Sequence, residues 1–222
     1  MDFEQSLRLS IALGLTIFLV LLRFDSERIM RSDYFRYRYP WMGPLSYYGL
    51  VVAFAIGIVL ILPNGRAELF LTPGDPDSML PIMLLFSAVA VLNAVAFAFR
   101  WYGAITPLPT PLVPTRLLGA AASAFADELQ FRSIVLGMLL FADIPGGVGS
   151  ALVIQALLYG LAQRRLWRER QWYFLIGSVL LGYGAGLATV TTGSVVPAMV
   201  GHFAVIAALF AFAGGRLRTR PI

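Results

Sequence analysis

Residues 117–142, which read LLGAAASAFADELQFRSIVLGMLLFA, decide the fold of this 222-residue chain. The run is long enough to cross a hydrocarbon core of about 30 Å, which takes about 20 helical residues. Its charged residues are Asp127, Glu128 and Arg132, all near its middle. A charge at the centre of a bilayer costs at least about 2.5–3.5 kcal/mol on insertion scales. The stretch therefore predicts a transmembrane helix whose charges serve packing or chemistry.

The whole chain has the composition of a polytopic membrane protein. It is 59% hydrophobic and 13% charged, whereas a soluble globular domain carries about 25% charged residues. This composition excludes a soluble protein with an ordinary core. The sequence contains no cysteine, which excludes disulfide and zinc–thiolate chemistry. All 17 basic residues are Arg, and their positions favour membrane orientation over a nucleic-acid-binding face.

Uncharged runs predict an all-α fold, in which residues 1–222 form a single transmembrane domain of about seven helices. The charge-free stretch 171–215 is long enough for two helices, with a turn at 191–194. The other five helices are predicted at 9–22, 45–62, 79–99, 117–142 and 144–163. These runs are too long, and too poor in alternating polarity, for the strands of a membrane barrel.

Arginine placement predicts how the protein is oriented. Most arginines fall between predicted helices one and two, three and four, and five and six, or near the C-terminus. The positive-inside rule places these segments in the cytoplasm, with the N-terminus outside and the C-terminus cytoplasmic. The acidic start of the chain lacks a small-residue cleavage site, which predicts a retained first helix. The all-Arg, Ala- and Gly-rich composition favours a bacterial cytoplasmic (inner) membrane.

The charges within residues 117–142 allow two interpretations. Glu128 and Arg132 are four residues apart, so their side chains are neighbours on one helix face. They form either a self-neutralising pair that fixes helix packing or a carboxylate held at depth beside a wet cavity. Adjacent helical residues diverge by about 100°. Asp127 therefore points elsewhere and needs a partner of its own.

His202 is the single histidine of the sequence. By the helical rise, Glu128 lies about 18 Å beyond Arg116, and His202 lies about 12 Å beyond Ser194. In a core of about 30 Å, the carboxylate and the imidazole come out at the same depth. This geometry suits a site in which one group activates a water and the other stabilises an oxyanion. It suits a structural ion pair equally well.

Three stretches of sequence resemble the motifs of the CPBP family, the CAAX-protease and bacteriocin-processing membrane proteins also called the ABI family. The family's two adjacent Glu with Arg four residues later match DELQFR at 127–132. Its aromatic residue with His four positions on matches YGLAQ at 159–163, which ends in Gln. Its Gly-Ser turn, Pro and later His match TGSVVP at 192–197, followed by His202. A glycine-rich stretch at 182–186 precedes that turn, as in the family.

The resemblance covers about residues 117–211, which makes the helices predicted at 9–22, 45–62 and 79–99 accessory. It implies roles for individual side chains. In such proteases the first Glu and the second-motif His activate a water, the last His and a following Asn or Asp hold the oxyanion, and earlier descriptions invoked a metal. Carried over, these roles fall on Asp127 as base, Gln163 as its partner, His202 and Ile206 at the oxyanion, and Glu128 with Arg132 as a supporting pair.

The carried-over site is degenerate at three positions. Asp127 is one methylene shorter than Glu, the Gln163 amide does not accept a proton, and Ile206 offers no hydrogen bond. Losing one oxyanion donor typically costs about 100–1,000-fold in rate. One His and two carboxylates also make a poor metal site. We therefore expect no metal and no cofactor.

Three functions follow from this site. The favoured hypothesis is a non-catalytic binding or assembly subunit, or a chaperone, for another membrane protein. The alternative is an active glutamate-type intramembrane endopeptidase acting on a membrane-embedded or prenylated peptide. A small transporter ranks last, because the sequence shows no inverted repeat. The expected partners are the lipid bilayer and a membrane protein or embedded peptide, and not nucleic acid.

One feature of the sequence leaves the geometry open. Gln163 adjoins Arg164 and so falls at the predicted inner edge of the membrane, whereas Glu128 is about 18 Å deep by the helical rise. Either the fifth helix continues past Arg164 beside a wide cytoplasmic cavity, or the predicted boundary is displaced.

Overall fold

The computed structural model describes residues 3–26, 29, 42–102, 114–163 and 172–212. The described residues are helical apart from turns and one isolated bridge, which confirms the all-α fold class. The helices are α1 (Phe3–Phe24), α2 (Met42–Ile61), α3 (Gly65–Glu68), α4 (Pro76–Tyr102), α5 (Pro114–Glu128), a π-helical segment (Leu129–Val135), α6 (Leu136–Phe141), α7 (Gly147–Ala162), α8 (Trp172–Thr192) and α9 (Val196–Phe212).

Within the described residues, four helical stretches are long and apolar enough to cross a membrane: Phe3–Phe24, Met42–Ile61, Pro76–Arg100 and Leu175–Thr192. Two shorter apolar helices, Gly147–Ala162 and Val196–Leu209, accompany them. The protein is therefore a multi-pass membrane protein. The number of crossings and the orientation remain predictions. Most of the arginines behind the orientation lie outside the described residues, in 27–28, 30–41, 164–171 and 213–222.

The run at 117–142 is not one regular helix. α5 ends at Glu128, seven residues follow with π-helical geometry, and α6 then completes the run. A π-helical turn is wider than an α-helical turn and is frequent at functional sites. All seven residues of the segment are buried. The continuous apolar pattern predicts a helix here but carries no sign of the wide turn.

The π segment is tied to the N-terminal part of the chain by polar side chains. The Gln130 amide donates a 2.6 Å hydrogen bond to the Leu19 carbonyl of α1. The Tyr47 hydroxyl of α2 donates to the Gln130 side-chain oxygen over 3.3 Å. The Ser133 hydroxyl donates to the Leu69 carbonyl over 2.5 Å. These bonds satisfy polar groups that would otherwise be buried without partners.

Glycines let helices approach closely inside the bundle. On α8, a Cβ at Gly182 would lie 3.1 Å from Tyr159, and one at Gly186 would lie 2.6 Å from the Gln155 amide of α7. The glycine-rich stretch at 182–186 thus packs within the molecule, with Gly182 and Gly186 against α7. On α9, a Cβ at Gly201 would overlap the ring of Phe86 from α4.

The loop between α3 and α4 closes the end of the bundle opposite the last turn of α1. The Val195 amide donates to the Phe70 carbonyl over 3.0 Å, and the Asp75 amide donates to the Thr192 carbonyl over 2.9 Å. Gly74 has a φ of +78°, and a Cβ there would lie 2.5 Å from the Thr192 carbonyl oxygen. Glycine is therefore required at this close approach. The loop fixes the turn that begins α9, the helix that carries His202.

Candidate functional site

The Glu128 carboxylate lies at the centre of a buried cluster that we call the deep cluster: Glu128, Arg132, Tyr159 and His202. Glu128 and Arg132 are fully buried, and His202 is 6% exposed. The His202 Nδ1 is 2.6 Å from the Glu128 Oε1, and the Arg132 Nε is 3.0 Å from Oε2. Because a carboxylate accepts hydrogen bonds, Nδ1 carries the hydrogen. The structure thus joins the two side chains that the helical rise predicts at one depth.

Tyr159 completes the deep cluster from α7. Its ring faces the Arg132 guanidinium, whose Cζ is 4.0 Å from the ring centroid, a distance that suits a cation–π interaction. Its hydroxyl is 3.5 Å from the His202 Nε2. The Phe131 ring packs against the other side of the contact, edge to face. The aromatic residue of the second motif therefore orients both the arginine and the histidine.

Asp127 belongs to a second group, which we call the shallow cluster: Asp127, Arg23 and Gln163. The Arg23 Nε is 2.9 Å from the Asp127 Oδ1, and the Arg23 Nη2 donates to Oδ2 over 3.1 Å. The Gln163 amide also donates to Oδ2, over 3.3 Å. Asp127 is 5% exposed. The Oδ2 thus accepts hydrogen bonds from α1 and from the residue that follows α7, and the Oδ1 lies at ion-pair distance from Arg23.

The structure places the side chain of Gln163 against Asp127. α7 ends at Ala162, and Gln163 caps it with backbone hydrogen bonds to Tyr159 and Gly160. Its side chain then reaches Asp127. The shallow cluster therefore lies at the end of the bundle where α1 and α7 end. Glu128, the next residue of the chain, lies on another face of the helix and belongs to the deep cluster.

A comparison with protein families bears on this arrangement. Residues 109–208 match the family model described as type II CAAX prenyl endopeptidase Rce1-like. Over this region, which is slightly less than half of the chain, the protein is similar to the CPBP family. The match includes both carboxylates, Arg132, Tyr159, Gln163 and His202, as the resemblance in the sequence predicts. A search of curated proteins finds no match to the chain.

The CPBP-like site contains one residue that sequence reasoning missed. Arg23 is predicted as a loop arginine that sets orientation, but the structure directs it at Asp127, with its Nη1 also donating to the Ser26 hydroxyl over 3.1 Å. It precedes the matched region by more than eighty residues. The signal that was available is indirect: Asp127 needs a partner outside the face of Glu128 and Arg132, and Arg23 ends a predicted helix.

Ile206 stands one turn beyond His202 on α9, where the family resemblance implies an oxyanion donor. It is half-buried, and its aliphatic side chain has no hydrogen-bonding group. His202 is therefore the one side chain of the implied oxyanion pair that can donate here, and its Nδ1 is already bonded to Glu128.

The chemistry of the donor set does not fit a metal. Among the residues that the structure describes, no group of three His, Cys, Asp or Glu side chains could hold a metal ion. Glu128 is bound by a guanidinium and an imidazole, and Asp127 by a guanidinium and an amide. A metal would have to displace these cations and donors from both carboxylates.

Proposed function

We propose that this CPBP-like protein binds another membrane protein or a membrane-embedded peptide without hydrolysing it, as an assembly subunit or chaperone in a bacterial cytoplasmic membrane. The observation that carries the proposal is the pairing of Asp127 with Arg23. The carboxylate in the position of the family's general base is bound at both oxygens by a guanidinium that extends from outside the family-matched region.

A hydrolytic water needs a proton acceptor within hydrogen-bonding distance. At Asp127, the Oδ2 already accepts hydrogen bonds from Arg23 and Gln163, and the Arg23 guanidinium balances the charge of the carboxylate. Gln163, the neighbour in the position of the family's histidine, is an amide and cannot take the proton on. The shallow cluster therefore supports cohesion between helices better than it supports water activation.

The oxyanion side of the site supports the same proposal. Catalysis of acyl transfer depends on donors already aimed at the developing negative charge. His202 commits its Nδ1 to Glu128 at 2.6 Å, and Ile206 contributes no donor. A site with one occupied imidazole and no second donor lacks the electrostatic preorganisation of a peptidase.

The first experiment tests hydrolysis. The purified protein in liposomes is given a prenylated peptide and a transmembrane peptide, and the cleaved fraction is measured. We expect no cleavage by the native protein. A matched variant carries Arg23→Ala, Asp127→Glu, Gln163→His and Ile206→Asn together, and cleavage by this variant would identify these positions as the cause of inactivity. Cleavage by the native protein that Asp127→Asn abolishes would overturn the proposal.

The second experiment tests binding. The protein is cross-linked in its native membrane and purified in mild detergent, and the co-purifying membrane protein is identified. We expect the level of that partner to fall when the gene is deleted. An Asp127→Asn copy should restore it, because binding does not need the base. A protein isolated without a partner, whose deletion changes no membrane protein, would contradict the assembly role.

The alternative function is a glutamate-type intramembrane endopeptidase acting on an embedded or prenylated peptide. The observation that favours it is the 2.6 Å contact between Glu128 and His202, a carboxylate–imidazole pair at depth. In that case Glu128 would replace Asp127 as the base. The hydrolysis experiment separates the two functions, because this alternative predicts cleavage that Glu128→Gln removes and Asp127→Asn does not.

A further inference from the structure

Arg132 has more hydrogen-bond donors than the surrounding protein satisfies. A guanidinium carries five N–H groups: one on Nε and two on each terminal nitrogen. The Nε is 3.0 Å from the Glu128 Oε2, which is an ion-pair distance, but the contact lacks the geometry of a hydrogen bond. Within the part of the chain that the structure describes, Nη1 and Nη2 are buried and have no hydrogen-bond acceptor. Four N–H groups of a fully buried side chain are thus left for a ligand.

The contact with Tyr159 does not meet this need. The ring lies 4.0 Å from the guanidinium carbon and attracts its charge. A π-face is a far weaker acceptor than an oxygen lone pair, so the four N–H groups still lack a full hydrogen-bond acceptor. Buried donors in folded proteins nearly always have a partner, which is either a protein group or an ordered water.

On the same face of α7 as Tyr159, a second buried side chain has a hydrogen-bond acceptor that lacks a donor. Gln155 precedes Tyr159 by one helical turn and is fully buried. Its amide nitrogen donates to the Gly182 carbonyl over 2.8 Å and to the Leu152 carbonyl over 3.2 Å. Its side-chain oxygen has no donor among the described residues. Among the described residues, buried donors of the π segment therefore lack acceptors, and a buried acceptor of α7, one helical turn from Tyr159, lacks a donor.

We propose that the Arg132 terminal nitrogens and the Gln155 side-chain oxygen hold internal water beside Tyr159, between the π segment, α7 and α8. Water both accepts and donates hydrogen bonds, so it can satisfy the guanidinium and the amide oxygen together. The charge of Arg132 is already balanced by Glu128, which favours a neutral ligand over an anion. Because Arg132, Glu128 and Gln155 have no exposed surface, the ligand is also small.

This hydration site differs from the position of the family's hydrolytic water, which the resemblance places at Asp127 and Gln163. It keeps an ionised cluster solvated inside an apolar bundle whether or not the protein is a peptidase. Failure of the hydration proposal and failure of the proposed binding function are therefore independent.

Radiolytic footprinting tests the proposal on the intact protein in detergent. Brief X-ray exposure generates hydroxyl radicals from bound water, which oxidise the adjacent side chain, and mass spectrometry measures the rate for each residue. Tyr159 and Tyr47 are a matched pair, since each is 2% exposed and the Tyr47 hydroxyl already has a partner in Gln130. We expect Tyr159 to be oxidised several-fold faster than Tyr47. Equal rates would overturn the proposal.

Two variants locate the water. Gln155→Leu removes the acceptor, and we expect the Tyr159 rate to fall towards that of Tyr47. Gln155→Glu keeps an oxygen acceptor, and we expect it to retain fast oxidation of Tyr159. An unchanged Tyr47 rate shows that each variant is folded. A folded Gln155→Leu that keeps the native Tyr159 rate would contradict the role of Gln155, and if that variant does not fold, the native comparison of Tyr159 with Tyr47 decides.

Discussion

Asp127 and Glu128 are adjacent in sequence, yet their carboxylates are buried in different ways. Glu128 is fully buried, and its partners Arg132 and His202 both come from the family-matched region. Asp127 lies nearer the end of the bundle, and its strongest partner, Arg23, comes from α1, outside that region. The deep cluster therefore links helices within the family-matched region, whereas the shallow cluster links that region to the N-terminal helix α1.

This contrast shows that one motif can carry two kinds of stabilisation. An internal ion pair is costly to break because the remaining charge has no access to water. A pair nearer the end of the bundle can be partly solvated when it is broken. Each cluster can be changed by substitution while the other cluster serves as the reference.

The largest effect is expected for Glu128→Gln, which keeps the shape of the side chain and removes its charge. Arg132 is then a buried cation without a counterion, and removing one partner of a buried pair typically costs about 3–5 kcal/mol. The free energy of unfolding in detergent measures the loss. Asp127→Asn is the matched control and should cost less. Equal losses for the two variants would remove the distinction between the clusters.

A smaller effect is expected for Arg23→Met, which removes the charged partner of Asp127. Leaving a buried acceptor with fewer donors costs about 1–3 kcal/mol. Combining Arg23→Met with Asp127→Asn should destabilise less than the sum of the two single changes, since both remove one interaction. A double-mutant cycle of unfolding free energies measures this coupling. Additive losses would show that the pair contributes nothing to stability.

Gly201→Ala tests the deep cluster through backbone packing. The added methyl overlaps the Phe86 ring, so the ring or α9 has to shift, and overpacking of this kind costs about 1–3 kcal/mol. Because His202 is the next residue, we expect the Glu128–His202 contact to loosen while the Arg23–Asp127 coupling is unchanged. Gly177→Ala on α8 is the control, since a Cβ there meets open space. A Gly201→Ala protein as stable as the control would contradict the close packing of α4 and α9.

The smallest effect is expected from a carboxylate outside both clusters. Hydrogen bonds from Ser78 and from the backbone amide of Asp77, at the start of α4, hold the pKa of Asp75 below its ordinary value. Its contribution to stability is therefore present above the ordinary Asp pKa and is lost as the pH falls through the lowered value. Asp75→Asn should flatten the acid limb of the stability–pH profile slightly. An unchanged profile would show that this cap has no pH-dependent role.

The sequence predicts the deep cluster well because its rules are local. The four-residue spacing of Glu128 and Arg132 follows from the helical period, and the common depth of Glu128 and His202 follows from the helical rise. Neither inference needs the packing of distant helices. The apolar runs likewise predict an all-helical membrane protein, since only helices and closed barrels satisfy the backbone in lipid.

The sequence does not predict Arg23 as a site residue. The positive-inside rule counts arginines on each side of the membrane and does not distinguish one arginine from another. The contact with Asp127 depends on how α1 packs against α5. The π segment was also unpredicted, because a single wide turn leaves the apolar composition of residues 117–142 unchanged. Both features depend on tertiary contacts that periodicity does not encode.

The π segment also bears on whether the family-matched region is autonomous. Of the polar side chains in this segment, Gln130 and Ser133 are satisfied by Leu19, Tyr47 and Leu69, all of which precede residue 109. A fragment cut at the family boundary would expose these groups to lipid with nothing to bond. The polar groups of the π segment therefore depend on residues that precede the family-matched region.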